Sequence, residues 1–288
     1  MTAKTLSLFD LAPGKILLDR YKIVKTFRTG GMSTTFEVVD SDSKESREIQ
    51  VFPGALFEDK TQATDFASAM GKWVDVESKH VLATHEVEAL DDGTILFVTE
   101  LPHGKSLREW RKDGVALEAA QVVEIGTQLL AGVEAIHAQR LVHGDIKPHT
   151  IHIEEKKALR VTLVDGGITP ALWSAKHLGD KTALIGTPFY APVEQFGGES
   201  PDVQSDVYNI ATVLYELACG VLPWKGKSFL EIFQAKLEKR PPSMKERAPK
   251  SHVPPELESV ILGGLMADRK ERYGDAESFA KKLSKLDF

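Results

Sequence analysis

The chain has 288 residues, of which 42% are hydrophobic and 27% are charged. This length allows one large or two smaller domains, and this composition is typical of a globular protein. The formal net charge of -6 disfavours nucleic acid or an anionic membrane surface as the main partner. A single cysteine, Cys219, cannot form an internal disulfide and favours a cytoplasmic setting. Because the sequence has no apolar run of about 18 residues and no signal-peptide core near its start, we expect no membrane insertion.

Alternation and turn signals in the first hundred residues predict a sheet with one helix. Residues 1–20 are predicted to be a tail with a turn at Pro13-Gly14, and the helix is predicted over Lys60–Val76. An Asp91-Asp92-Gly93 turn signal predicts a hairpin between the last two strands. The predicted strands are Tyr21–Phe27, Thr35–Val39, Arg47–Phe52, Val81–Leu90 and Thr94–Glu100.

After Pro102 the pattern changes to helices. Apolar residues recur every three to four positions over Leu117–Ala138 and over Asp206–Ala218, and Gly220 supplies a stop for the second of these helices. Further helices are predicted over Ser228–Leu237, Pro255–Met266 and Asp275–Lys285. The sequence therefore predicts an α+β fold, with a small antiparallel sheet lobe over 21–102 and a larger, mainly helical lobe over 103–288.

Two stretches carry residues whose side chains could act in catalysis or metal binding. They are Leu141–His152 (LVHGDIKPHTIH) and Val164–Gly167 (VDGG), and their order resembles the catalytic loop and the metal-binding loop of protein kinases. The resemblance implies that Asp145 accepts the substrate hydroxyl's proton, that Lys147 contacts the transferred phosphate and that Asp165 holds Mg²⁺.

Further motifs extend this resemblance over about residues 20–286, to the bacterial branch of Ser/Thr protein kinases in particular. By the resemblance, Asp206 braces the catalytic loop, and Arg272 pairs with Glu194. The motifs are Arg20–Ile23, Gly30–Met32 with the glycines Gly30 and Gly31, the substrate-receiving segment Gly186–Tyr190, Glu194, Ser205–Tyr208 and Arg272. The resemblance implies a bilobal protein-kinase-like fold.

The glycine-rich loop and the third strand depart from the family pattern. The three glycines that would let backbone N–H groups approach the phosphates fall on Arg28, Gly30 and Ser33, so one of the three is retained. The strand lysine that grips the phosphates falls on Gln50, which carries no charge, and its glutamate partner falls on Ala69. Phosphate binding is therefore expected to be impaired.

The metal-binding and activation positions depart as well. The asparagine that binds the second metal ion is Thr150, whose hydroxyl is a weaker ligand than an amide oxygen. An arginine that in many kinases binds a phosphorylated residue is Gly144, so phosphorylation of Ser174, Thr182 or Thr187 has no obvious receptor.

The metal-binding loop also lacks its aromatic residue. The phenylalanine that packs beneath the small-lobe helix is Gly166, and we predict that Trp73 fills the space it leaves. An ordinary core position for Trp73 is the alternative.

The positions that enclose adenine in the family are also altered. The small residue above the ring falls on Glu48 and the apolar residue below it on His152, so we expect these two side chains to pair and to occupy the nucleotide's place. In the alternative, Glu48 faces solvent. Thr99 and Glu100 begin the hinge, and Pro102 stands where an N–H normally binds adenine.

These changes predict a pseudokinase, a binding or regulatory module that acts on a protein partner such as another kinase or its substrate. No cofactor is expected under this interpretation. One alternative is a divergent, weakly active Ser/Thr kinase that uses ATP and Mg²⁺. The other is a nucleotide sensor that binds ATP without transferring phosphate.

Overall fold

The computed structural model describes residues 6, 11–29, 32–111, 114–177, 188–238 and 240–288. Within these residues the chain forms two compact units. The first contains the described residues up to Glu77, together with Leu82–Pro102 and Ser174–Lys176. The second contains Ser78–Val81, His103–Trp173 and the described residues from His177 to Phe288. Several predicted site and regulatory residues lie outside the described part, namely Gly30, Gly31, Thr182, Gly186 and Thr187.

The first unit is built on a six-stranded antiparallel sheet with the strand order β1-β2-β3-β4-β6-β5. The strands are β1 (Ile16–Leu17), β2 (Tyr21–Thr29), β3 (Thr34–Asp40), β4 (Ser46–Phe52), β5 (Thr84–Ala89) and β6 (Ile95–Glu100). The predicted turn at Pro13-Gly14 is present, and β1 shows that sheet pairing begins inside the segment predicted as a tail. Strand β4 lies inside the sheet, where Gln50 is paired with Thr35 of β3 and with Phe97 of β6.

The helix predicted in the first unit is present as α1 (Lys60–Gly71), followed by a 3₁₀ helix over Lys72–Asp75. The Asp59 side chain caps α1 by accepting the N–H of Gln62, which satisfies one of the free donors at the helix start. Phe66 is fully buried on the inner face. Trp73 is also buried and lies in the 3₁₀ helix, which winds more tightly than a continuing α-helix.

The rest of the chain is mainly helical. Its strands are β7 (Lys105–Ser106), β8 (Ile151–Glu155) and β9 (Leu159–Leu163), which form an antiparallel sheet in that order. Its helices are α2 (Leu107–Trp110), α3 (Ala119–Ala138), α4 (Ile168–Ala175), α5 (Val193–Phe196), α6 (Val203–Cys219), α7 (Phe229–Lys236), α8 (Met244–Arg247), α9 (Pro255–Gly264) and α10 (Ala276–Leu283). The predicted helices are thereby confirmed, with ends that differ by a few residues.

Helix α6 is the central element of the second unit, because its residues from Ser205 to Cys219 are all buried. It packs against α3 and α9. Asp202 caps it through the N–H groups of Gln204 and Ser205, and Gly220 ends it with a φ of +82°. The helix starts three residues before the predicted position, directly after its cap at Asp202.

The fold class predicted from the sequence is confirmed: a small antiparallel sheet unit with one α-helix precedes a larger, mainly helical unit. Helix α4, which starts right after Gly167, was not predicted from the sequence. Among the described residues, no helix is both long enough and apolar enough to cross a membrane.

Candidate functional site

The loop that carries Asp145 is supported by Asp206 of α6. The carboxylate of Asp206 is fully buried and accepts the backbone N–H groups of His143 at 2.9 Å and Gly144 at 2.8 Å. Its Oδ2 atom also lies 3.0 Å from Nε2 of His137. Because buried backbone donors need acceptors, one carboxylate fixes the shape of the loop. The predicted brace is therefore confirmed.

His143 connects this loop to the loop that carries Asp165. Burial lowers the pKa of His143, against the opposing effect of the Asp206 and Asp145 carboxylates, and favours the neutral ring. Nε2 then donates to the carbonyl oxygen of Val164 at 3.1 Å, and Nδ1 accepts the N–H of Asp145 at 3.4 Å. The carbonyl oxygen of His143 accepts the N–H of Gly167 at 3.0 Å. The two loops thus form one hydrogen-bonded structure.

Asp145 and Lys147 are brought together at the exposed side of the loop. Nζ of Lys147 lies 2.6 Å from Oδ2 of Asp145, and both side chains keep about a fifth of their surface exposed (19% and 22%). A carboxylate next to an ammonium group is able to accept a proton from a hydroxyl and to contact a phosphate. The roles that the resemblance gives these two residues remain predictions.

Thr150 is turned toward the loop backbone. Its hydroxyl accepts the N–H of Lys147 at 3.1 Å and lies 2.9 Å from the carbonyl oxygen of Asp145, to which it donates. A hydroxyl in use as both donor and acceptor fits a second Mg²⁺ poorly, since this ion prefers carboxylate and phosphate oxygens. Asp165 has a backbone φ of +60°. Of the two predicted metal ligands, Asp165 and Thr150, Asp165 alone has a carboxylate, and its role as a ligand remains a prediction.

The segment predicted to receive a substrate is described from Pro188 onward. Arg272 forms a buried ion pair with Glu194, with N–O distances of 2.6 and 3.1 Å, which confirms the predicted pair. Nζ of Lys236 donates to the carbonyl oxygens of Phe189 at 3.0 Å and Ala191 at 2.6 Å. These contacts connect the segment and Glu194 to α7 and to the loop before α10.

Glu48, which is predicted to stand at the position that covers adenine in the family, lies on β4 inside the first unit. Only 3% of its surface is exposed, so the alternative in which it faces solvent is wrong. Its Oε1 atom lies 3.4 Å from NH2 of Arg28, one of the residues that replace the loop glycines. A buried carboxylate needs a countercharge, and Arg28 provides one. The predicted pairing of Glu48 with His152 remains a prediction.

Gln50, like Glu48, bonds to a side chain at one of the predicted glycine positions. Its amide Nε2 donates to the hydroxyl of Ser33 at 2.8 Å, and Ser33 replaces another loop glycine. Strand alternation places Gln50 on the same face of β4 as Glu48. Both altered strand positions therefore bond to side chains at altered glycine positions. Neither Glu48 nor Gln50 supplies the positive charge that would bind a nucleotide phosphate.

The remaining predicted residues occupy the positions expected from the sheet pairing. Thr99 of β6 is buried opposite Glu48, and its hydroxyl donates to the carbonyl oxygen of Glu100 at 3.0 Å. His152 of β8 is buried opposite Ser106 and lies 3.4 Å, through Nδ1, from the carbonyl oxygen of His103. The predicted role of Trp73 in filling the space at Gly166 remains a prediction, although the side chain is buried.

Sequence reasoning missed two features of the site. It identified the changes at Arg28 and Ser33 one at a time and did not pair them with β4. It also gave no role to Lys236, which is 1% exposed although lysine is rarely buried. A lysine on the apolar side of a predicted helix was the signal that could have identified it.

Together, the fold and the braced Asp145 loop define the protein-kinase class. The family model for the protein kinase domain matches residues 21–284, and the chain belongs to this family. The probable serine/threonine-protein kinase PknB of Lactococcus lactis is 28% identical over 265 residues, which cover 92% of this chain and 41% of that protein. The serine/threonine-protein kinase PrkC of Bacillus subtilis is 27% identical over 264 residues, covering 92% and 40%. These relatives support the predicted bacterial Ser/Thr kinase family.

Solved structures agree at the level of the fold. The kinase domain of PknI from Mycobacterium tuberculosis superposes with a TM-score of 0.72 at 19% identity, covering 96% of this chain and 99% of that one. The chain spans about two fifths of the length of the relatives PknB and PrkC. The family match and the solved structure of PknI confirm the protein-kinase fold.

Proposed function

We propose that this chain is a pseudokinase module, which binds and regulates a protein partner and lacks normal phosphoryl transfer. The observation that supports this most is the pair of contacts from Arg28 to Glu48 and from Ser33 to Gln50. In the family, small glycines and a strand lysine leave room and charge for phosphates. Here Arg28 and Ser33, at two of the glycine positions, bond to Glu48 and to Gln50, and Gln50 stands at the lysine position.

The size of the expected loss decides between a slow enzyme and an inactive one. Phosphoryl transfer depends on positioning and electrostatic stabilisation, and removing one stabilising group typically costs about 10²–10³ in rate. Gln50 and Thr150 replace two such groups. Although such losses do not simply add, two independent ones would reduce a turnover of roughly 1–100 per second to about 10⁻² per second or less.

The comparisons with known proteins favour a second candidate, a divergent and weakly active Ser/Thr kinase, because PknB and PrkC are both named as such kinases. The ion pair of Lys147 with Asp145 and the Asp206 brace are compatible with it. A nucleotide sensor, which binds ATP without transferring phosphate, is the third candidate and would need only part of the site.

For the first candidate, we propose a protein partner, such as another kinase or its substrate, and no requirement for ATP or Mg²⁺. A cytoplasmic location is part of the same proposal and is supported by the single Cys219. The second candidate would need both ATP and Mg²⁺, with Asp165 as the first metal ligand.

The test combines calorimetry of nucleotide binding, with and without Mg²⁺, and an assay of labelled phosphate incorporation. We compare the native chain with Asp145→Ala and with a variant that restores the family pattern, Arg28→Gly/Ser33→Gly/Glu48→Ala/Gln50→Lys. The control variant is Glu277→Ala/Lys281→Ala, which removes an exposed ion pair of 2.5 Å on α10, in the other unit. The variant Glu48→Ala/His152→Leu tests the predicted closure of the adenine position.

For a pseudokinase we expect no micromolar Mg–ATP binding and no incorporation by the native chain. The restored variant should gain nucleotide binding by tenfold or more, whereas the control variant should gain none. Incorporation that Asp145→Ala abolishes would establish the second candidate in its place. Micromolar Mg–ATP binding without incorporation would establish the sensor.

A further inference from the structure

Helix α4 starts where the loop containing Asp165 ends. The N–H of Gly167 donates to the carbonyl oxygen of His143 at 3.0 Å, and the carbonyl oxygen of Gly167 accepts the N–H of Ala171 at 2.9 Å. The first turn of α4 is thereby attached to the catalytic loop. The buried residues of α4 are Ile168, Thr169, Ala171, Leu172, Trp173 and Ala175. A short helix with so many buried residues is part of the packed structure.

Gly144, on the catalytic loop, packs directly against this helix. A Cβ atom added at Gly144 would lie 2.6 Å from Cδ of Pro170 and 3.2 Å from Cβ of Pro201. The first distance is far inside van der Waals contact, and both rings are stiff. Even a methyl group at position 144 is therefore incompatible with Pro170 in this place, and a long side chain is more so.

Backbone conformation is a separate reason for glycine at this position. Gly144 has a φ of +78°, a region that side chains other than glycine rarely adopt. Gly114 has a similar φ of +71°, but a Cβ added there meets nothing within 4 Å. The pair Gly144 and Gly114 therefore separates the effect of the left-handed backbone from the effect of contact with α4.

We propose that the packing of Pro170 on Gly144 locks α4 onto the catalytic loop, as a permanent replacement for a segment controlled by phosphorylation. With α4 in its observed place, position 144 has no room for a side chain that could bind a phosphate. The lock concerns how the chain is regulated, and it holds whether or not the chain binds nucleotide. Ser174, the exposed residue of α4, is accordingly a surface position and not a switch.

The test is amide hydrogen exchange across α4 in the whole chain. In the native chain we expect the Ala171 amide to be protected to within about tenfold of the core amides of α3. Gly144→Ala should reduce this protection by tenfold or more, whereas Gly114→Ala should leave it within about threefold of native. Pro170→Ala, which removes the ring atoms that clash, should restore protection when combined with Gly144→Ala. Ser174→Glu should change it by less than threefold.

Each result decides the proposal. Equal effects of Gly144→Ala and Gly114→Ala on α4 would overturn it, because the backbone conformation alone would then explain the glycine. Failure of Pro170→Ala to rescue the Gly144 variant would overturn it too. If Gly144→Ala does not fold, a folded double variant supports the lock and an unfolded one contradicts it. A tenfold loss of protection at the Ala171 amide in Ser174→Glu would also overturn the proposal, because α4 would then respond to added charge.

Discussion

Removing the carboxylate of Asp206 is expected to destabilise the chain through the catalytic loop. In Asp206→Ala, the buried N–H groups of His143 and Gly144 lose their acceptor. An unsatisfied buried donor costs about 1–3 kcal/mol, so the two together cost about 2–6 kcal/mol. This is a large part of the roughly 5–15 kcal/mol by which a domain is usually stable. Asp206→Asn keeps one acceptor oxygen and should lose about half as much.

Urea unfolding measures the loss, and hydrogen exchange at the amides of His143 and Gly144 locates it. The matched control is Asp202→Ala, which removes the cap of the same helix but no bond to the loop, and should cost about 0.5–2 kcal/mol. If Asp206→Ala costs no more than Asp202→Ala, or if exchange at the two loop amides is unchanged, the brace does not fix the loop and the reasoning fails.

Two further predictions concern buried side chains. Burial lowers the pKa of Lys236 well below its ordinary value. The charge of Glu194 opposes this shift of the pKa, and the charge of Arg272 adds to it. The folded state therefore binds fewer protons than the unfolded one between the lowered pKa and about 10.4, and stability should rise with pH across that window. Urea unfolding at several pH values should show this rise in the native chain and not in Lys236→Met, and parallel curves would contradict it. Trp73 is 4% exposed, so Trp73→Ala should cost about 3–5 kcal/mol, and a loss below about 1 kcal/mol in the same assay would show that it fills no essential space.

The sequence by itself determined the order of the elements and the family. Alternation, turn signals and helical spacing are local properties, and they predicted the hairpin of β5 and β6, the long helix α3 and the buried helix α6. The motifs around Asp145 and Asp165 identified the family because their order along the chain is preserved. The partners Asp206 for the loop and Arg272 for Glu194 were predicted because the resemblance names positions that lie far apart in sequence.

The tertiary structure decided which of the altered residues meet. Arg28 and Glu48 are 20 residues apart, and Ser33 and Gln50 are 17 apart. Whether such residues touch depends on the register of β2, β3 and β4, because a shift of one residue turns every side chain of a strand to the other face. Local patterns do not contain that register.

The same holds for α4 and Lys236. The apolar residues of α4 are compatible with a short helix or a strand, and their contact with Gly144 involves a residue more than 20 positions earlier in the sequence. Lys236 is buried because two carbonyl oxygens of another segment accept its N–H groups. The sequence specified these residues, but their role depends on neighbours that folding brings from distant parts of the chain.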